Sequence, residues 1–213
     1  MPGAPPSPRR NLPRGRNALD RAVVESDQRS RLLDAMSELV VEHGYVALRV
    51  SDLIARAGVA KPTFYDLFES KLGCFLALID RVFEDLTTAI ASSLDPEAPI
   101  EERIARGMSA LVEFVADHEA HGRILFLEAP AAGRDSLARV DRGYELLARF
   151  YISLREEVRA NDPSVPPLSW LRAIAIVSTI SGMISAELRR EQEFRREQLT
   201  REVTEAVLSL ARA

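Results

Sequence analysis

The sequence predicts an all-α protein: an N-terminal three-helix helix-turn-helix head joined by a fourth helix to a C-terminal helical body. Three observations carry that expectation. Apolar residues recur at spacings of three and four from Leu32 onward, and glycine and proline clusters cut the chain into segments of helical length. No stretch alternates apolar and polar residues with the period of two that a half-buried strand needs.

Five of the twelve prolines fall within the first 13 residues, and residues 1–21 carry five arginines against one acid. Such a segment has neither apolar periodicity nor free backbone donors, so residues 1–25 are expected to be a flexible basic arm. Arg14 and Arg16 are placed to reach a DNA minor groove. From Ser30, the positions Leu32, Leu33, Met36, Leu39 and Val40 define a helix that Gly44 stops. Leu53, Ile54 and Ala57 give a short helix ended by Gly58, and Phe64, Leu67 and Phe68 give another with almost no loop between. These make a head over 26–75. Phe75, Leu76, Ile79, Val82, Phe83 and Leu86 then mark a longer helix to about Ser92, followed by the linker Asp95-Pro96-Glu97-Ala98-Pro99. Beyond it, helical stretches at about 100–118, 122–129, 135–160, 168–191 and 195–211 complete a body assigned to 76–213.

Charge divides the same way. The chain is net −4, yet residues 1–75 hold 11 basic and 9 acidic side chains, which leaves the acidic excess in the remainder. A head with a basic surplus can approach phosphate, while an acidic body discourages non-specific binding through other faces. Cys74 is the only cysteine, so no intrachain disulfide can form; with no secretory signal and no apolar run approaching bilayer length, a cytoplasmic protein without membrane partners is expected. Followed by Phe75 and Leu76, Cys74 reads as buried and not as a redox sensor. His118-Glu119-Ala120-His121 offers two imidazoles beside a carboxylate, but no third ligand lies near in sequence, and the segment reads as a solvated turn. No metal, cofactor or enzymatic activity is expected. The chain shows no phosphate-cradling glycine loop, nucleophile elbow, HExxH helix or framed carboxylate pair.

A helix-turn-helix needs two short helices locked at a large angle, the second lying in the major groove. In Val50 to Phe68, Ala55 is small where the helices are expected to cross, Gly58 can take the positive φ of a sharp exit, and Val59, Phe64 and Phe68 face the preceding helix. Ala60, Lys61, Pro62, Thr63, Tyr65 and Asp66 remain outward. With Glu42-His43-Gly44-Tyr45 before it and Thr63-Phe64-Tyr65-x-x-Phe68 then Ser70-Lys71 after, the segment from Arg29 to Leu78 resembles the DNA-binding head of the TetR family. The resemblance implies phosphate contacts from Thr63, Tyr65 and Lys71, and base-facing positions for Lys61 and Pro62. Ala60 stands where that family usually has a serine, and Leu67 where histidine is common. Arg49 replaces the usual hydroxyl cap and is positioned to reach a phosphate, so the cap is expected at Ser51.

The same resemblance implies a homodimer on a palindromic operator of double-stranded DNA, acting as a repressor and released by a small-molecule effector. Trp170, Leu171, Ile174, Ile176, Val177, Ile180 and Ile184 cover more than one face of their helix, and Leu199, Val203, Ala206, Val207 and Leu210 form a stripe on the last. Ile184, Leu199, Val203, Val207 and Leu210 are expected at the dimer seam, with Val177 unassigned between seam and core. The candidates for the ligand site are Phe114, His118, Phe126, Tyr144, Tyr151 and Trp170. The competing reading is a TetR-shaped helical binding module that has lost specific DNA binding, because Ala60 and Leu67 remove two phosphate contacts.

Overall fold

The computed structural model describes residues 14–190 and 192–212, and every regular element among them is helical. The first helix, α1, runs Arg14–His43 and so begins inside the stretch expected to be a flexible arm. After Pro13 the next proline is Pro62, and the pairs Arg21–Glu25 at 2.8 Å and Asp27–Arg31 at 3.0 Å stitch successive turns. Residues 21–27 are exposed, so local pairs and not packing support this half of the helix. The arm expectation for residues 1–13 lies outside the described residues.

The second half of α1 carries Leu32, Met36 and Val40, all fully buried. Against it pack α2 (Val50–Ala57) and α3 (Lys61–Leu67), then the first turns of α4 (Lys71–Ser93). Leu53, Phe64, Phe75 and Leu78 complete a core with no exposed member. Gly58 adopts φ 62° and ψ 37°, and the Val59 N–H reaches the Ile54 carbonyl at 3.1 Å, which closes α2 and reverses the chain into α3. Ala55 faces out; the small residue buried in this corner is Ala57. The cap of α2 also differs from expectation, because the Asp52 carboxylate accepts the Arg49 backbone N–H at 3.0 Å while Ser51 only donates to Asp52.

Helix α4 leaves the head with Ser70 as its cap, its Oγ accepting the Gly73 N–H at 3.0 Å. The body follows with α5 (Ile100–Asp117), α6 (Glu119–Arg123), a π-helical turn (Ile124–Glu128), α7 (Ala129–Ala131), α8 (Arg134–Asn161), α9 (Trp170–Leu188) and α10 (Arg196–Arg212). The stretch expected as one helix at 122–129 changes register for a local reason. Pro130 has no N–H to give the Phe126 carbonyl four residues earlier, and the Ser185 hydroxyl of α9 donates to that carbonyl instead, at 3.1 Å.

Helix α9 sits between α8 and α10, and α10 also packs on α5. By length and composition α9 is apolar enough to cross a bilayer, contrary to the sequence reading. Its apolarity serves the core: Ile176, Ile180 and Ile184 are buried, and Glu187 at its end is 5% exposed. Two arginines, Arg195 at 2.6 Å and Arg190 at 2.9 Å, hold that carboxylate and push its pKa down to about 2, which ties α9 to the start of α10.

The dimer seam expected on α9 and α10 needs correction. Val203, Val207 and Leu199 are at most 5% exposed within one protomer, Ile184 is fully buried and Val177 nearly so. Helix α10 has a single apolar stripe, and its buried members are consumed on α5 and α9, with Ala206, Leu208 and Leu210 partly buried beside them. The outward residues of α9 are Leu171, Ala175, Ser178, Gly182 and Ala186.

Candidate functional site

The outer face of the head is built on α3. Ala60 caps it with extended backbone, and Pro62 occupies its first turn, where its missing N–H has no helical partner to lose. The rings of Phe64 and Phe68 point inward, 5.9 Å apart, and Arg29 of α1 lies 4.6 Å over the Phe68 ring. Anchored this way, α3 turns Lys61, Pro62, Tyr65 and Asp66 to solvent and leaves Thr63 partly covered. Tyr65 is half exposed, with its ring edge-on to Phe64 at 5.2 Å, so the hydroxyl projects from a fixed ring. Arg49 is exposed at the start of α2. Arg14 and Arg16 stand in the first turn of α1, and their side chains lie outside the described residues.

Lys71 is neither free nor simply surface. Its ammonium donates to the Tyr45 carbonyl at 3.0 Å and the Leu48 carbonyl at 2.8 Å, and lies 4.3 Å over the Tyr45 ring. Partial burial lowers its pKa from the ordinary lysine value. Tyr45 in turn stacks on Phe75 at 4.5 Å. Lysine, turn and α4 therefore form one unit. Arg56 braces α2 on α1 through Glu38 at 2.8 Å and Glu42 at 2.9 Å, and Arg81 of α4 binds Asp34 of α1 at 2.8 Å.

In the body, α4, α5, α8 and α9 surround a cavity of about 600 Å³. Phe83, Leu86, Ile90, Met108, Leu111, Leu147, Phe150, Val177 and Ile180 give it an apolar wall, and Tyr144 and Ser181, hydrogen-bonded to each other, supply polar atoms. Its lining on α4 runs from Asp80 to Leu94, roughly 20 Å by helical rise, or about four turns of the helix. Arg103 and Arg139 also line it. Each spends a guanidinium nitrogen on a carboxylate, Glu157 at 2.7 Å and Asp80 at 2.7 Å, and each keeps a buried Nε–H with no partner.

Of the six ligand candidates the structure brings together three: Phe126, Tyr144 and Tyr151 line the cavity. Phe114 lies beyond the cavity face of α5 and packs against His118 and His121 at 4.9 and 5.9 Å. The two imidazoles stack at 5.6 Å; His118 is exposed, and burial lowers the pKa of His121. Trp170 is 41% exposed at the start of α9 beneath Arg149. Cys74 is fully buried, and burial pushes its thiol up to about 12, which favours the protonated form at neutral pH.

Sequence reasoning missed Gly143 and the two arginines. A Cβ on Gly143 would fall 2.4 Å from the Phe83 ring, so α8 approaches α4 only because this residue is glycine. A glycine in the middle of a charged helical stretch was the available signal, since it costs about 1 kcal/mol against alanine unless packing requires it. Nothing in the local sequence marks Arg103 or Arg139, whose partners are 54 and 59 residues away.

An exposed short helix on a tightly braced head, joined by a shared helix to a body that holds an apolar cavity, has the architecture of helix-turn-helix DNA-binding proteins. A model of bacterial regulatory proteins of the tetR family matches residues 32–78. The chain is 31% identical over 116 residues to the HTH-type transcriptional activator FasR of Mycolicibacterium smegmatis, an alignment covering 54% of this chain and 52% of that one. It is 33% identical over 113 residues to the HTH-type transcriptional regulator EthR of Mycobacterium tuberculosis, covering 52% and 51%. These alignments span about half the length of those relatives. Among solved structures, the transcriptional regulator FadR of Bacillus subtilis in complex with stearoyl-CoA superposes with a TM-score of 0.74 at 18% identity, covering 84% of this chain and 97% of that one. Over residues 32–78 the chain is similar to the DNA-binding head of the tetR family, and over most of its length it shares that fold.

Proposed function

We propose that the protein is a dimeric repressor that reads a palindromic operator through α3 and releases it when an elongated, largely apolar ligand fills the body cavity. The cavity carries this reading. Its volume lies in the range of ligand sites, its length suits a long acyl chain, and unpartnered Arg103 and Arg139 N–H groups offer donors to a polar or anionic head. The stearoyl-CoA bound by the structurally similar Bacillus subtilis FadR supports that chemical class. On the DNA side, Lys61 and Pro62 face bases, and Thr63, Tyr65, Arg49 and the remaining Lys71 N–H meet phosphates. The outward row of α9, Leu171, Ala175, Ser178, Gly182 and Ala186, lets a second copy approach closely and replaces the seam expected on α10.

The test is fluorescence anisotropy on a duplex that the full chain itself selects from a random library, titrated with palmitate and with palmitoyl-CoA. Either probe is expected to lower operator affinity about 5- to 150-fold. Operator affinity unchanged by both probes overturns the acyl-ligand reading. Failure to select any duplex at low salt overturns the DNA-binding one.

A further inference from the structure

The π-helical turn separates the cavity from the head, and it touches both. Phe126 lines the cavity. Two residues on, the Glu128 carboxylate accepts the Tyr45 backbone N–H at 3.2 Å, in the turn between α1 and α2. Residues two apart on a helix project on roughly opposite faces, so this short rod presents one end to the ligand space and the other to the DNA-binding domain. Ile124 and Leu125 are buried beside it, and the Ser185 hydroxyl holds the Phe126 carbonyl from α9.

Glu128 grips a residue that the head itself holds by its other backbone group and its ring. The Tyr45 N–H goes to Glu128, while the Tyr45 carbonyl goes to Lys71 at the start of α4 and the Tyr45 ring lies between Lys71 and Phe75. A carboxylate hydrogen bond to a backbone N–H is charge-assisted and directional, so a small shift of the turn weakens it steeply. The π register also makes this segment adjustable, because its ladder is already interrupted at Pro130.

We propose that Glu128 is a positioning residue that couples the cavity to the recognition helix: displacement of Phe126 by a ligand withdraws the carboxylate from Tyr45 and loosens the turn between α1 and α2, the two helices against which α3 packs. This deepens the regulatory reading above and rests on it for its biological use. The coupling itself is a property of the chain that can be measured without ligand or DNA. It is a second route beside α4, which runs continuously from the head to the cavity.

Backbone amide exchange is measured on the full chain and on Glu128→Ala, Glu128→Gln, Phe126→Ala and the Phe126→Ala/Glu128→Ala double variant. Loss of a hydrogen bond to a charged group should speed Tyr45 exchange about tenfold or more in Glu128→Ala, with Glu128→Gln largely restoring it. Phe126→Ala should speed the same amide, and the double variant should be no faster than Glu128→Ala. Exchange at Tyr45 unmoved by Phe126→Ala, or additive in the double variant, overturns the relay. Palmitate is then added to parent and Glu128→Ala bound to the selected duplex, and the variant should lose most of the parent's fold-change. A variant that keeps the parent's full response overturns the relay. If palmitate changes nothing in the parent while Phe126→Ala still reaches Tyr45, the ligand reading fails and the relay stands.

Discussion

In the head, Phe64 and Phe68 fill the angle between α1, α2 and α3 so completely that neither ring is more than 5% exposed; in the body, α4, α5, α8 and α9 line a cavity of about 600 Å³. The head also binds its turns with charge, through Arg31 on the Ala57 carbonyl, Arg56 on two glutamates and Lys71 on two carbonyls. The body spends its strongest ion pairs elsewhere, on Glu187 at the junction of α9 and α10. The difference teaches what each region is built to do. A reader of DNA must hold three or four side chains in register, which a filled core enforces. In the reading proposed above, the body must offer an apolar wall to a ligand, and Phe83, Leu147 and Phe150 are part of that wall.

The harshest way to probe that contrast is a charge on each of the two faces discussed for dimerisation. Val203→Arg places a guanidinium where the protomer has no exposed surface and no acidic stripe to receive it, so the body should lose about 4 kcal/mol or more and fail to fold at 37 °C. Leu171→Arg, at a position 79% exposed, should leave the melting of the protomer nearly unchanged and weaken self-association in sedimentation. A folded, monomeric Val203→Arg would return α10 to the seam and break the assignment made here.

A milder pair compares the two cores directly. Phe64→Ala should cost about 3–5 kcal/mol in chemical denaturation, because every neighbour of the ring is packed against it. Leu147→Ala faces the cavity and should cost less than about 2 kcal/mol, the lower bound for a closely packed leucine. Equal costs would mean that the space in the body is not a relaxed cavity.

How much of this was legible in the sequence follows the same division. The head's helices could be read because Leu32, Met36, Phe64 and Phe68 repeat within a short window, and because Gly58 must sit where the chain reverses. Their contacts are local. The start of α1 was read as part of an arm over residues 1–25 because that stretch is rich in proline and arginine and lacks apolar periodicity, yet paired charges four residues apart hold it helical from Arg14. In the body, a helical apolar stripe says only that some partner exists. Val203 and Val207 proved to face α5 and α9 of the same chain, while Tyr144 and Tyr151 did face the cavity that their neighbours could not reveal. Glu128 carried no signal at all, since its partner lies 83 residues earlier.

The smallest expected effect concerns Lys71, where head and body meet. The family resemblance gives its ammonium to a phosphate, whereas the structure gives two of its three N–H donors to the Tyr45 and Leu48 carbonyls. Both can hold, since the third donor and the charge remain for DNA. Lys71→Met keeps the apolar stem over Tyr45 and removes the charge and the donors together. It should cost the head about 1–3 kcal/mol, because the carbonyls of the buried Tyr45 and Leu48 lose their charged donor. Binding to every duplex should weaken alike, with the slope of log affinity against log salt reduced by about one. Lys71→Arg separates the two roles: it preserves the charge, but its planar fork cannot converge on both carbonyls as an ammonium does. A normal salt slope with a destabilised turn in Lys71→Arg, beside a reduced slope in Lys71→Met, would show both roles at once. If Lys71→Met leaves the slope at the parent value, the lysine belongs wholly to the head's internal bracing, and the phosphate contact must be struck from the DNA-binding face.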